Sequence, residues 1–157
     1  MATVARQSGS TSTFLAEQRA VVVESAGHAF SSHRYASAGT AETRRRLDTL
    51  YGRVAASVER RNLGDVLAYT RALARERFEG GYDLAEVQAA CNALEEALWQ
   101  RIFAEVPPAE LAETLGLVAT AFGAAKDALA REWVGLATRA HAPSLDLRAL
   151  FEGTDGL

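Results

Sequence analysis

Side chains that could do chemistry are few, and their spacing supports no catalytic group. The three histidines are His28, His33 and His141, and Cys91 is the single cysteine. His28 and His33 are five residues apart, so they do not share a helix face, whereas a helical metal-binding pair uses positions i and i+4. One cysteine excludes an internal disulfide and a multi-cysteine zinc site. We therefore expect no catalytic residue, no metal and no cofactor, and we expect that the chain is not an enzyme.

Haem binding and phosphate binding are the two alternatives to catalysis. A haem globin needs a proximal histidine, and the stretch 34–140 contains none. Six arginines on the second predicted helix could contact phosphates: Arg44, Arg45, Arg46, Arg53, Arg60 and Arg61. Asp48 and Glu59 interrupt that patch and the formal net charge is −3, so we interpret it as a solvated helix face and expect no nucleic-acid partner.

Composition indicates one helix-rich domain. The chain has 157 residues, three prolines and 48% hydrophobic residues, and no apolar run approaches the roughly 20 residues of a membrane helix. No secretory signal is visible, so we expect a cytoplasmic protein without membrane contact. We predict a flexible tail over 1–13, a helical sensor or regulatory domain over 14–141 and a second tail over 142–157.

Helical periodicity predicts an all-α bundle of about five helices, with globin-like packing as one arrangement. The first helix is expected from about Phe14 and the second over 41–61, where apolar residues recur on one face. The third, over 65–78, is expected to end at the Gly80–Gly81 pair, and Asp83 is a candidate cap for the fourth. Prolines 107 and 108 separate the fourth helix from the fifth.

The fifth helix carries the longest periodic stretch of the chain. At about 1.5 Å per residue, thirty residues would make a rod of roughly 45 Å, longer than a small bundle is deep. We therefore predict that this helix pairs with its copy in a homodimer. The candidate contact residues are Leu115, Val118, Phe122, Leu129 and Trp133.

Residues 77–99, RFEGGYDLAEVQAACNALEEALW, form the most distinctive segment. The segment resembles the N-terminal domain of RsbT co-antagonist proteins of the RsbRD type. The positions that carry the resemblance are Gly81, Leu84, Val87, Asn92, Leu94, Leu98 and Trp99. Cys91 departs from the pattern, because an aromatic residue is usual there. Asn92, which follows it, is expected to be half buried and to tie two helices together.

The resemblance implies a non-catalytic regulatory domain for stress or two-component signalling, similar to a globin without haem. It also implies a homodimer that passes a signal to a STAS protein, a switch kinase or a sigma-factor regulator. None of these modules occurs within the 157 residues, so action in trans is expected. The alternative is a globin-like sensor of a small molecule or haem. Its pocket would be lined by Tyr69, Phe78, Trp99, Phe103, Phe122 and Trp133.

Overall fold

A computed structural model describes the backbone of residues 2–31 and 40–141 and the side chains of residues 10–30 and 41–141. That part of the chain contains five α-helices and has no strand. The helices are α1 (Ala2–Ser31), α2 (Thr40–Arg60), α3 (Gly64–Glu79), α4 (Leu84–Glu105) and α5 (Pro108–His141). The predicted all-α architecture with a long last helix is confirmed. Similarity to a globin stays a prediction, and the tail over 142–157 and His33 lie outside the described residues.

The first helix begins earlier than predicted. The expected start at about Phe14 is wrong, because α1 begins at Ala2. Tertiary contacts explain part of the difference: Thr11 is buried with its hydroxyl 3.4 Å from that of Thr114 in α5, and Ser10 donates to Glu110. These contacts outweigh the weak helix propensity of serine and threonine. The side chains before residue 10 lie outside the described part, so the flexibility of an N-terminal tail stays a prediction.

The connection between α3 and α4 follows the predicted turn chemistry. Gly81 has φ +78°, the left-handed conformation that glycine adopts without steric cost. The Tyr82 amide donates to the Arg77 carbonyl at 3.0 Å and so closes the end of α3. Asp83 then caps α4, because its side chain accepts a hydrogen bond from the amide of Ala85 at 3.2 Å. The chain thus reverses within four residues and brings the end of α3 against the start of α4.

Ion pairs show how the helices run. Arg19 and Glu24 of α1 pair with Asp48 and Arg44 of α2, respectively, so these two helices are antiparallel. Arg101 of α4 donates to Gln18 of α1 at 2.8 Å.

Helix α3 lies along α5. Leu63, the residue directly before α3, shares a surface pocket with Leu117 and Ala121. Phe78, near the end of α3, packs edge-on against Trp133, with ring centroids 5.6 Å apart. The two helices therefore run in the same direction. The last buried residue of α5 is Trp133, and the side chains beyond it are half buried or exposed.

One apolar core joins all five helices, with the largest fully buried side chains contributed by α1, α2, α4 and α5. These side chains are Leu15, Leu47, Tyr51, Leu94, Leu98, Ile102, Phe122 and Leu129. The Tyr51 hydroxyl donates to the carbonyl of Leu15 at 2.6 Å, which satisfies the phenol inside the core. Burying this apolar surface is the main driving force for the fold.

Candidate functional site

A small cavity opens where α2, α3 and α4 converge, with Phe30 of α1 closing one side. Its volume is about 60 Å³. The lining residues are Phe30, Thr43, Arg46, Leu47, Leu50, Tyr69, Leu73, Arg77, Tyr82, Glu86, Val87, Ala90 and Cys91. The interior is mostly apolar because it is built from the inward-facing stripes of three helices, and its polar groups are concentrated in a few side chains. Such a combination is typical of small-molecule sites.

Two guanidinium groups contact the ring of Tyr82 at this cavity. The Arg46 carbon Cζ is 5.5 Å from the ring centroid of Tyr82, and that of Arg77 is 5.4 Å away. Both distances are within the range of cation–π attraction. The Arg46 nitrogens also donate to the Tyr82 hydroxyl at 3.3 and 3.4 Å, which are long hydrogen bonds.

Both arginines also have carboxylate partners. Arg46 donates to Glu42 at 3.0 Å, one helical turn earlier. Arg77 donates to Glu76 at 2.8 Å. Arg77 is only 8% exposed, and a charged residue that is so deeply buried usually has such a partner. Burial lowers the pKa of Arg46, but the Tyr82 hydroxyl and Glu42 outweigh burial and raise it. Two guanidinium groups, each paired with a carboxylate, therefore stand beside an apolar space.

Cys91 and Tyr69 are lining residues whose pKa is raised by burial. Burial raises the pKa of the Cys91 thiol from 9.0 to about 12, so the thiol is protonated at neutral pH. A nucleophilic cysteine needs the thiolate instead. Burial also raises the pKa of Tyr69. Neither group is poised for catalysis.

Only Tyr69 among the predicted pocket residues lines this cavity. Phe122 is fully buried in the core, and Phe78 and Trp133 pack against each other. Phe103 is 60% exposed and Trp99 is 38% exposed, so these two face solvent. The prediction collected aromatic residues by type, but the helices direct them to different places.

Sequence reasoning missed Arg46, Arg77 and Tyr82 at the cavity. They come from α2, from the end of α3 and from the turn that follows it, so no local spacing relates all three. One local feature of the sequence pointed to Tyr82: it directly follows the Gly80–Gly81 pair, which marks the turn after α3.

Family-motif residues take structural positions. Gly81 ends α3, Leu84 begins α4 as a partly buried residue, and Leu94 is fully buried. Asn92 is exposed, which corrects the expectation that it is half buried. It accepts a hydrogen bond from Lys126 of α5 at 3.5 Å, so it does connect two helices, but at the surface.

The predicted dimer face of α5 is directed into the protomer. Val118, Phe122, Leu129 and Trp133 are buried, and Leu115 is partly buried against the same core. The outer face of α5 is instead made of small exposed residues: Ala112, Gly116, Ala119 and Gly123. A Cβ atom built on either glycine would meet nothing within 4 Å.

Helix α4 carries its two exposed aromatic residues next to that small-residue face. Trp99 lies two turns after Asn92, and Ala119 lies two turns before Lys126, so each shares a helix face with its partner. Lys126 contacts Asn92, and it pairs with Glu95 at 3.1 Å, so the two faces border one another. We call Trp99, Phe103, Ala112, Gly116, Ala119 and Gly123 together the α4–α5 surface.

The arginine patch considered for nucleic acids is occupied by ion pairs. Arg44 pairs with Glu24, and both Arg45 and Arg46 pair with Glu42. Their charges are thus largely compensated within the protomer. Arg53 and Arg61 pair in the same way with Asp65 and Glu113.

Metal and haem sites were compared with the side chains that the structure describes. These residues contain no group of three or more His, Cys, Asp or Glu side chains that could hold a metal ion. His28 and His141 are exposed, and no histidine is among the buried side chains of this part. The cavity also falls far below the roughly 300–1,000 Å³ of sites for drug-sized ligands. This cavity is therefore too small for a haem.

Within the same part of the chain, none of the helices has the length and apolar character needed to cross a membrane.

Comparison with known proteins finds a family but no individual relative. The model of one family, the RsbT co-antagonist protein rsbRD N-terminal domain, matches residues 11–142. No curated protein matches the chain, and no solved structure does. The matched region includes the cavity, the α3–α4 turn and the α4–α5 surface. The chain belongs to the RsbT co-antagonist protein rsbRD N-terminal domain family.

Proposed function

We propose that this chain is a non-catalytic signalling domain that works as a homodimer through the α4–α5 surface and acts through protein–protein contacts. The family is one of regulatory domains, which supports the role in signalling. The high pKa of the buried Cys91 thiol agrees with a role that needs no nucleophile.

One observation carries the dimer proposal: two exposed aromatic side chains border a strip of small residues. Trp99 is 38% exposed and Phe103 is 60% exposed, and aromatic residues are enriched in protein interfaces. Small residues on α5 leave room for a large side chain from another copy. Because a two-fold interface uses the same patch on both subunits, aromatic residues of one copy would pack against the small residues of the other.

Mass measurement tests this dimer directly. Light scattering over a range of micromolar concentrations should give twice the protomer mass of 16.8 kDa. Phe103→Asp should give the protomer mass with an unchanged helical circular-dichroism spectrum, because the side chain is already largely exposed and the fold does not depend on it. Val134→Asp is the matched control, since Val134 is also 60% exposed but lies about 16 Å along α5 from Gly123.

Two results would contradict the interface. The first is a wild-type protein that stays at the protomer mass throughout the concentration range. The second is a Val134→Asp variant that dissociates while Phe103→Asp remains a dimer, which would place the contact nearer the end of α5.

The regulatory partner remains the class that the family resemblance implies: a STAS protein, a switch kinase or a sigma-factor regulator. Affinity purification from the native host, with Trp99→Ala as the control, should recover one of these classes with the wild-type protein. Recovery of the chain alone would count against action in trans.

A second candidate function is sensing of a small molecule, and the cavity between α2, α3 and α4 favours it. Haem is the less well supported ligand. The described residues include no buried histidine near the cavity, and the volume of the cavity is small. A compact ligand is the stronger form.

A further inference from the structure

We propose that the cavity between α2, α3 and α4 binds a neutral, apolar molecule of about two or three heavy atoms. This inference rests on the second candidate function, sensing of a small molecule, and names the class of ligand for it. It does not depend on the dimer.

Buried hydrocarbon forms most of the cavity wall. Leu47, Leu50 and Val87 are buried side chains of this wall, and Phe30 of α1 closes one side. Cys91 adds a buried thiol that is protonated at neutral pH. A polar molecule gains few hydrogen bonds against such a wall and loses those it makes with water, whereas an apolar molecule has none to lose. The wall therefore favours an apolar ligand.

The three charged residues of the lining are already engaged. Arg46 donates to Glu42 at 3.0 Å. Arg77 donates to Glu76 at 2.8 Å. Glu86 is not free either. A charged ligand would have to displace one of these interactions and would also lose its own hydration on entering. The lining therefore selects against a carboxylate as well as against an ammonium group.

The volume limits the size of the ligand. A cavity of about 150 Å³ takes up benzene, whereas this cavity has about 60 Å³. Scaling by volume from benzene gives a ligand of about two or three heavy atoms. Xenon, a single large atom that binds in dry apolar cavities, is within this limit, and benzene exceeds it.

The ligand would contact three helices at once. Leu47 lies on α2, Leu73 on α3 and Val87 on α4, and all three line the cavity. A molecule held between these helices stabilises their packing, so binding should raise the melting temperature. Helix α4 also carries Trp99 and Phe103, so a change in its packing at the cavity would reach the α4–α5 surface.

Titration with dissolved xenon, followed by backbone amide NMR shifts, tests the proposal. We expect saturable shifts at Leu73 and Ala90 with a Kd on the order of 10 mM. Ethane should shift the same residues, and benzene should bind at least about tenfold more weakly than xenon. Acetate, methylammonium and acetamide should give no saturable shifts there. The two ions would have to displace existing ion pairs, and acetamide would bury its amide against hydrocarbon.

Substitutions in the cavity wall locate the site. Ala90→Leu should abolish xenon binding by filling the cavity. Ala90→Val adds fewer atoms, so it should weaken binding several-fold, and it keeps the test valid if the larger side chain impairs folding. Ala93→Leu is the matched control, because Ala93 is also a partly buried residue of α4 but lines the groove between α1 and α4. Leu50→Ala should enlarge the cavity and allow benzene to bind. Melting temperatures establish which variants are folded.

Three results would overturn the inference. Absence of saturable shifts at Leu73 and Ala90, at xenon concentrations several times the expected Kd, would remove the ligand class altogether. Binding of acetate or acetamide at these residues as tightly as ethane would refute the selection for an apolar ligand. Unchanged xenon binding to a folded Ala90 variant would place the ligand elsewhere.

The same spectra separate this inference from the function on which it rests. Xenon shifts at the cavity with no change at Trp99 would support the site and refute its role in sensing, whereas absence of shifts at the cavity refutes the site itself. The dimer is measured by mass on the same samples, so its failure is recognised separately.

Discussion

Replacement of Cys91 by alanine should change how stability depends on pH. The thiol is buried in the cavity wall, and desolvation raises its pKa from 9.0 to about 12. A group whose folded-state pKa exceeds its unfolded value stabilises the fold fully below the unfolded pKa. That contribution is lost as the pH rises through the folded pKa. For Cys91 the loss begins near pH 9 and is complete near pH 12.

The size of the effect follows from the pKa shift. Each pKa unit corresponds to about 1 kcal/mol, so the wild-type protein should lose about 1 kcal/mol of this contribution by pH 10. Cys91→Ala removes a sulfur atom from a packed position and should cost about 1 kcal/mol at neutral pH, similar to the loss of one buried methyl group. The two proteins should therefore become about equally stable near pH 10.

Urea unfolding at several values between pH 7 and pH 10 measures this difference. Tyr51 and Tyr69 are present in both proteins, so their own loss of stability at high pH largely cancels in the comparison. Val134→Ala, at an exposed position, serves as a control whose difference from the wild type should not depend on pH. A constant free-energy difference between the wild type and Cys91→Ala from pH 7 to pH 10 would refute the reasoning.

Four further substitutions test the fold. Gly81→Ala should lower the free energy of unfolding by about 1 kcal/mol, because its φ of +78° is unfavourable for a residue with a side chain. Gly116→Ala should raise the free energy of unfolding by about 0.5–1 kcal/mol, because Gly116 lies in a helix with open space around it. Chemical denaturation of both variants measures these opposite signs. Leu94→Ala should cost about 2–5 kcal/mol, because the side chain is fully buried and leaves a cavity, and a cost below about 1 kcal/mol would show that the core closes around the gap. Tyr51→Phe should cost about 1 kcal/mol through loss of its 2.6 Å hydrogen bond to the carbonyl of Leu15, and an equal melting temperature of the two proteins would mean that this bond contributes nothing net.

The sequence predicted the helix ends well wherever the chain contains residues that stop or cap a helix. Gly81 and Asp83 mark the end of α3 and the start of α4, because a left-handed residue and a side-chain cap are local requirements. The early start of α1 was not predictable in the same way. Thr11 is ordered by a contact with Thr114, which is distant in sequence.

The candidate site depended even more on tertiary geometry. Periodicity correctly indicated that Phe122 and Trp133 face inward, but it could not show whether an inward face meets a cavity, a neighbouring helix or another copy. Arg46 and Arg77 resemble solvated helix residues in the sequence. Only the packing of α2 against the α3–α4 turn places both of them beside Tyr82.

The decline of burial along α5 has a consequence for hydrogen exchange. Up to Trp133 the helix is anchored in the core, and beyond Trp133 its side chains are half buried or exposed. Opening the last two turns therefore costs far less than opening the middle of the same helix. We expect amide protection to fall stepwise after Trp133, so that one continuous helix consists of a segment that opens only with the whole domain and a segment that opens independently. A binding event near the end of α5 could draw on that local opening without unfolding the core.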